Sequence, residues 1–156
     1  REYAIKDRNR DGLLEYARKF VSDPGKKNGL YWYAKQGEPQ SPLGPITIRA
    51  TSEGYRAAPP GAAPSPYHGY YYRILTRQGA GAPGGAYDYL VKGKMRGGFA
   101  LLAFPAEYGN SGIMTFMVNH DGTVFEKDLG PKTVKLARKI ESFAPDQSWT
   151  TVDNAQ

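Results

Sequence analysis

The chain has no cysteine, which removes disulfide staples and thiol redox chemistry from consideration. That absence is compatible with an exported bacterial protein. Histidine occurs twice, at His68 and His120. Both lie in turn-rich segments without the nearby His or Cys that a zinc site needs, so they read as solvated loop residues. Nowhere do about 18 apolar residues run together, so no membrane-spanning helix is expected. Familiar catalytic signatures are missing as well. "YGNSGI" is not a nucleophile elbow, because Gly112 follows Ser111 directly. "GAGAPGG" is not a phosphate loop, because no Lys-Ser/Thr pair or helix follows it.

What is present favours turns and short strands. The 156 residues include 19 Gly and 12 Pro, with aromatics at 13%, against a length that suits one compact domain. The formal charge is +6. Its cations are spread over Lys26 and Lys27, then Lys92, Lys94 and Arg96, then Lys132, Lys135, Arg138 and Lys139. No nucleic-acid motif accompanies them, so they read as a solvated basic surface.

Helical signals stand at the two ends. Arg1 to Lys6 reads as the end of a helix that begins upstream, since the chain starts at Arg1 and not at Met. After "DRNRDG", the spacing of Leu13, Leu14, Ala17, Phe20 and Val21 predicts a second helix, closed by "SDPGKKNG". Near the other end, Pro131 opens a predicted helix over 131–143 with Val134, Ala137, Ile140 and Phe143 on one face. Between them, 30–69 reads as an irregular aromatic and Pro-rich region, with a surface loop around Pro59, Pro60, Pro64 and Pro66. Over 70–128, "YYYRILT", "YDYLV", "FALLAFP", "IMTFMV" and "TVFEKD" read as strands, and "NHDG" as a hairpin turn. Trp149 is expected to anchor the tail. The expected class is α+β: one domain, an antiparallel meander of about four to five strands packed with an N-terminal and a C-terminal helix.

The run "GGAYDYLVKGKMRGGFALLAFPAEYGNSGIMTFMVNHDGTVFEKDLG", with "PYHGYYYRILTRQG" and "DGLLEYARKF", resembles the C-terminal half of the bacterial DUF2950 family. The resemblance covers nearly the whole chain. It implies export and a further N-terminal region, and no activity. A second resemblance, carried by "DRNRDGLLEYA" and "IMTFMVNHDGTVFEKD", is to the globular heads of type IV pilins and pseudopilins. It implies a pilin-like fold and a helix supplied by another segment or chain.

Two groups of residues are candidates for a site. Asp7, Asn9, Asp11, the Leu13 carbonyl and Glu15 follow the opening of an EF-hand calcium loop, with Gly12 at the bend. The pattern then departs, because Arg18 stands where a bidentate Glu belongs. The alternative is a turn in which these side chains cap backbone N–H groups. Asn119, Asp121 and Glu126 repeat the theme as a hairpin turn. The second group is aromatic: Tyr31, Trp32, Tyr67, Tyr70 and Tyr71 are expected at an interface with copies of the chain or with a helix-bearing partner. Three tyrosines in a row on a strand, Tyr70 to Tyr72, cannot all face the core.

The reading is therefore a non-catalytic, exported assembly protein, periplasmic or extracellular, that requires no cofactor and has calcium as a candidate ligand. The alternative is a periplasmic binding domain or hydrolase acting on cell-wall glycan. That reading asks for facing carboxylates such as Asp88 and Glu107.

Overall fold

A computed structural model describes residues 1–45 and 65–152. The loop around Pro59, Pro60 and Pro64, and the end of the tail, lie outside the described residues. Contacts divide the chain into two compact units, Arg1–Tyr67 and His68–Gln156.

The first unit opens with one 3₁₀ turn, Glu2–Ile5. The chain is already extended at Lys6, with φ −136° and ψ 139°. The second expected helix, from Leu13 to Val21, does not form. Its backbone groups are used elsewhere: Leu30 N–H donates to Lys19 O (3.0 Å), Tyr31 N–H to Phe20 O (2.7 Å), and Ser22 N–H to Tyr31 O (2.8 Å). A parallel bridge joins Val21 to Tyr31. A helix this short needs its apolar stripe buried to be stable in water, yet Leu13 and Leu14 are exposed. Cross-chain pairing wins over periodicity.

Among the described residues of this unit, Tyr3, Ala17 and Trp32 form a small buried hydrophobic cluster, with Leu30 and Ala34 against it. The Tyr3 hydroxyl donates to Lys27 O at 2.8 Å. Cations flank the Trp32 ring, the Arg8 guanidinium at 5.4 Å and the Lys27 ammonium at 5.8 Å, distances at which the ring quadrupole attracts positive charge.

The second unit is built on a five-stranded antiparallel sheet. In chain order the strands are β1 (Tyr70–Leu75), β2 (Arg77–Gln78), β3 (Tyr87–Asp88), β4 (Leu90–Val91), β5 (Lys94–Met95), β6 (Ala100–Pro105), β7 (Met114–Asn119), β8 (Val124–Asp128) and β9 (Thr150–Thr151). The large sheet runs β1-β6-β7-β8-β9, while β2-β3 and β4-β5 form two small ribbons. "YDYLV" was expected as a strand of the meander. Instead it is split between the two ribbons, because Tyr89 N–H turns to Thr76 O at 2.8 Å. The "NHDG" turn forms as expected: Gly122 takes φ 93° and its N–H donates to Asn119 O at 3.0 Å. The Trp149 segment leads into edge strand β9, with the Lys127 ammonium 6.0 Å from the indole ring.

Alternation along the strands gives the sheet two faces. The inner face carries Leu75, Ala100, Leu102, Phe104 and Met117, all buried. Full burial of each larger side chain contributes about 1.5–3 kcal/mol. A short helix, α1 (Thr133–Ala137), follows a 3₁₀ turn at Gly130–Lys132 and buries Thr133 and Ala137. The expected helix to residue 143 stops early because Phe143 is needed in extended form. Its N–H donates to Arg77 O (3.0 Å) and its carbonyl accepts from Gly79 N–H (2.9 Å). The carbonyls left at the end of α1 are met by Arg73, which donates to Ala137 O (3.0 Å) and Arg138 O (3.1 Å). Replacing Arg73 with Met keeps the stem and removes both bonds. Urea denaturation of that variant is expected to show a loss of about 2 kcal/mol, and an unchanged midpoint would leave the helix end without need of its cap.

Candidate functional site

The Asp7–Glu15 loop does gather the expected side chains. Asp7 is the anchor: its carboxylate accepts from Asp11 N–H (3.2 Å) and Gly12 N–H (2.8 Å). Asp11 accepts from Leu13 N–H at 3.0 Å. The Asn9 amide nitrogen then donates both to Asp11 (2.9 Å) and to Glu15 (2.7 Å). Arg10 and Gly12 take positive φ, 59° and 81°, to make the bend. The carboxylate oxygens thus face N–H donors, the arrangement of a side-chain-capped turn. Among the described residues no group of three or more His, Cys, Asp or Glu is placed to hold a metal ion.

The aromatic candidates go to different places. Trp32 is in the core of the first unit, 7% exposed. Tyr31 is half-buried beside it, and so is Tyr67 at that unit's end. In the second unit Tyr70 and Tyr71 point to opposite faces. The Tyr71 ring lies 5.6 Å from Phe104 on the inner face. Tyr70 lies 6.1 Å from Phe116 on the outer face, and its hydroxyl donates to Met114 O at 3.1 Å. Tyr72 is the exposed member of the three.

Asp88 and Glu107 are each engaged locally. Asp88 accepts from Leu90 N–H at 3.3 Å, and Glu107 accepts from the Asn110 amide at 2.7 Å. Ser111 is a turn residue, its hydroxyl accepting from Glu107 N–H (2.9 Å) and donating to Glu107 O (3.2 Å).

The densest polar cluster is one that sequence reasoning missed. Tyr89 is fully buried and its hydroxyl donates to Gln78 Oε1 at 2.9 Å. Gln78 Nε2 donates to Pro83 O (2.9 Å) and Gly85 O (2.7 Å). The "GAGAPGG" glycines therefore wrap a buried amide. His120, read from sequence as a solvated loop residue, stands edge-on to Tyr89 at 5.7 Å, with its Nε2 3.3 Å from the Tyr87 hydroxyl and 3.8 Å from Asp121. Room for its ring comes from Gly98, whose φ is +146° and where a Cβ would lie 2.5 Å from His120 Nδ1. The same logic recurs at Gly112, where a Cβ would overlap the Tyr70 phenol, and at Gly69, where it would meet Ser111. The available signal was the pairing of glycine with aromatic residues, not any catalytic spacing.

Gly98 and Gly112 both fall in the "GGFALLAFPAEYGNSGIMTF" block. A family model described as a protein of unknown function (DUF2950) matches residues 1–152. The chain belongs to the DUF2950 family. No curated protein and no solved structure matches it. In this DUF2950 member two glycines of that block, Gly98 and Gly112, give room to the rings of His120 and Tyr70.

Burial pushes the Tyr89 phenol up to about 12, with the neighbouring Tyr87 adding to the shift. The folded state holds the Tyr89 proton more tightly than the unfolded chain, whose phenol titrates near 10. Its contribution is therefore complete below about pH 10 and declines as pH rises towards 12. Denaturation series across that window should show falling stability together with late tyrosinate absorbance, and Tyr89→Phe should flatten the decline. A stability that holds level to pH 12 in the parent protein would contradict this.

Proposed function

We propose that the chain is a non-catalytic, exported assembly domain that associates with copies of itself through its sheet, in the manner of a pilin head. The observation that carries this reading is the outer face of the large sheet. Register aligns Ile74, Leu101, Val118 and Val124 in one row across β1, β6, β7 and β8. Tyr72, Ala103, Phe116 and Glu126 form the next. All but Tyr72, which is exposed, are half-buried. An antiparallel sheet in water ordinarily presents polar side chains on the face away from its core. Here seven of the eight positions are apolar or aromatic, and such a face favours a partner surface.

Supporting features lie in the first unit. Ile5 is 67% exposed, Leu14 54% and Tyr33 80%, well beyond what its small core can absorb. Of the interface residues expected from sequence, Tyr70 stands on the proposed contact face, Tyr71 packs on the inner face of the same sheet, and Tyr31, Trp32 and Tyr67 belong to the first unit. Calcium enters this reading as an accessory ligand. Asp7, Asn9, Asp11, Glu15 and the Leu13 carbonyl supply oxygens to it once the Asn9 amide is turned over.

Sedimentation over a concentration series tests the assembly. Tyr72→Ala should weaken self-association by on the order of 2 kcal/mol, about thirtyfold in dissociation constant. Val118→Glu should abolish association while leaving the far-ultraviolet circular dichroism unchanged. A parent chain that sediments as a monomer at every concentration overturns the proposal. For the ion, the melting midpoint should rise when millimolar calcium replaces chelator. No rise, or the same rise in Asp11→Asn, removes calcium from the reading.

A further inference from the structure

We propose that the exposed side of α1 and the turn that follows it form a docking surface for an anionic phospholipid membrane. Lys132, Lys135, Arg138 and Lys139 are all exposed there. Together with Pro131 and Val134 they line one open groove. Among the described residues none of the four has a carboxylate partner. Glu141, the acidic side chain nearest in sequence, is held by Arg77 at 3.1 Å, which leaves the groove's positive charge uncompensated.

The cations stand on a firm base. Beyond Ala137 the backbone keeps turning, with Arg138 N–H donating to Val134 O (3.2 Å), Lys139 N–H to Leu136 O (3.1 Å) and Ile140 N–H to Ala137 O (3.1 Å). Spacings of three and four residues set Lys132, Lys135 and Lys139 along one side, over roughly 10 Å of helix axis. The opposite side, Thr133 and Ala137, is fully buried, and Arg73 fixes the end.

One residue decides between an anionic bilayer and a soluble polyanion. Leu136, 40% exposed, sits four residues after Lys132 and three before Lys139, so it stands between them on the surface. A linear polyanion has no use for an apolar side chain among its cations. A bilayer interface takes both, the leucine into the headgroup boundary and the cations onto its phosphates. This surface is separate from the outer face invoked for assembly, because α1 is tied to Arg73 of the inner face.

The test is co-sedimentation of the whole chain with vesicles of phosphatidylcholine containing phosphatidylglycerol, against phosphatidylcholine alone. Binding is expected to the anionic vesicles only, and to weaken as salt rises. Changing Lys132, Lys135, Arg138 and Lys139 together to Gln should reduce it several-hundredfold, at roughly fivefold per charge. A control lowers the net charge equally elsewhere, with Lys6, Lys26 and Arg96 changed to Gln and Lys92 to Asn, and should retain most of the binding. Leu136→Ser should weaken vesicle binding without changing retention on heparin. Three outcomes overturn the proposal: no binding to anionic vesicles at low salt, equal losses in the patch and control variants, or vesicle binding indifferent to Leu136→Ser. Circular dichroism of each variant must match that of the parent.

Discussion

The second unit depends on one buried carboxamide. Gln78 uses both amide hydrogens on the carbonyls of Pro83 and Gly85 and its oxygen on the Tyr89 hydroxyl. Its backbone meanwhile pairs with Tyr87 on one side and bridges to Phe143 on the other. A buried amide costs several kcal/mol if its partners are missing and little if they are all present. Satisfying it ties down the path of the glycine-rich loop and the buried Tyr89 hydroxyl. Tyr89 in turn packs against His120, and His120 needs a glycine at position 98. A chain of short-range requirements thus runs from β2 to the β7–β8 hairpin.

The two faces of the large sheet can be read separately. Inner positions alternate with outer ones along β6 and β7, so the apolar residues on the two faces are independent choices. Leu102, Phe104 and Met117 serve folding of the unit. Leu101, Phe116 and Val118 stand on the other face, half-buried and apolar. On the proposed reading, that face is kept apolar for a partner. The two-sided pattern is the physical content of the assembly reading.

The strands were legible because alternation and β-branched or aromatic content are local signals, and so was the Asp-Gly turn between Asn119 and Gly122. Helices were misread for one shared reason. In both the Leu13–Val21 and the Pro131–Phe143 segments, the end of the predicted helix is claimed by extended pairing outside the segment, with Tyr31 in one case and Gln78 in the other. No local pattern reports such a partner. For the candidate site, Asp7, Asn9, Asp11 and Glu15 share one turn because a turn is local, and their carboxylates accept from N–H donors within it. The roles of Gln78, Arg73 and His120 were not found, because each depends on contacts made across the folded unit.

The first unit poses the opposite problem from the second. Among the described residues its buried hydrophobic core rests on Tyr3, Ala17 and Trp32, a small apolar area to set against the ordering of the chain around it. Polar devices therefore carry much of its definition: the Asp7 turn, the Asp23 pairing with Asn28 and Lys19, and two cations on the face of Trp32. Devices of this kind specify a conformation more than they stabilise it, since exposed ion pairs and turn bonds each contribute little in water. Burial of Ile5, Leu14 and Tyr33 against a partner would supply the missing apolar area, and the unit's stability would then rise with protein concentration by mass action. A small core, a polar frame and exposed large hydrophobic side chains are together what a domain needs if its final packing is completed by another molecule.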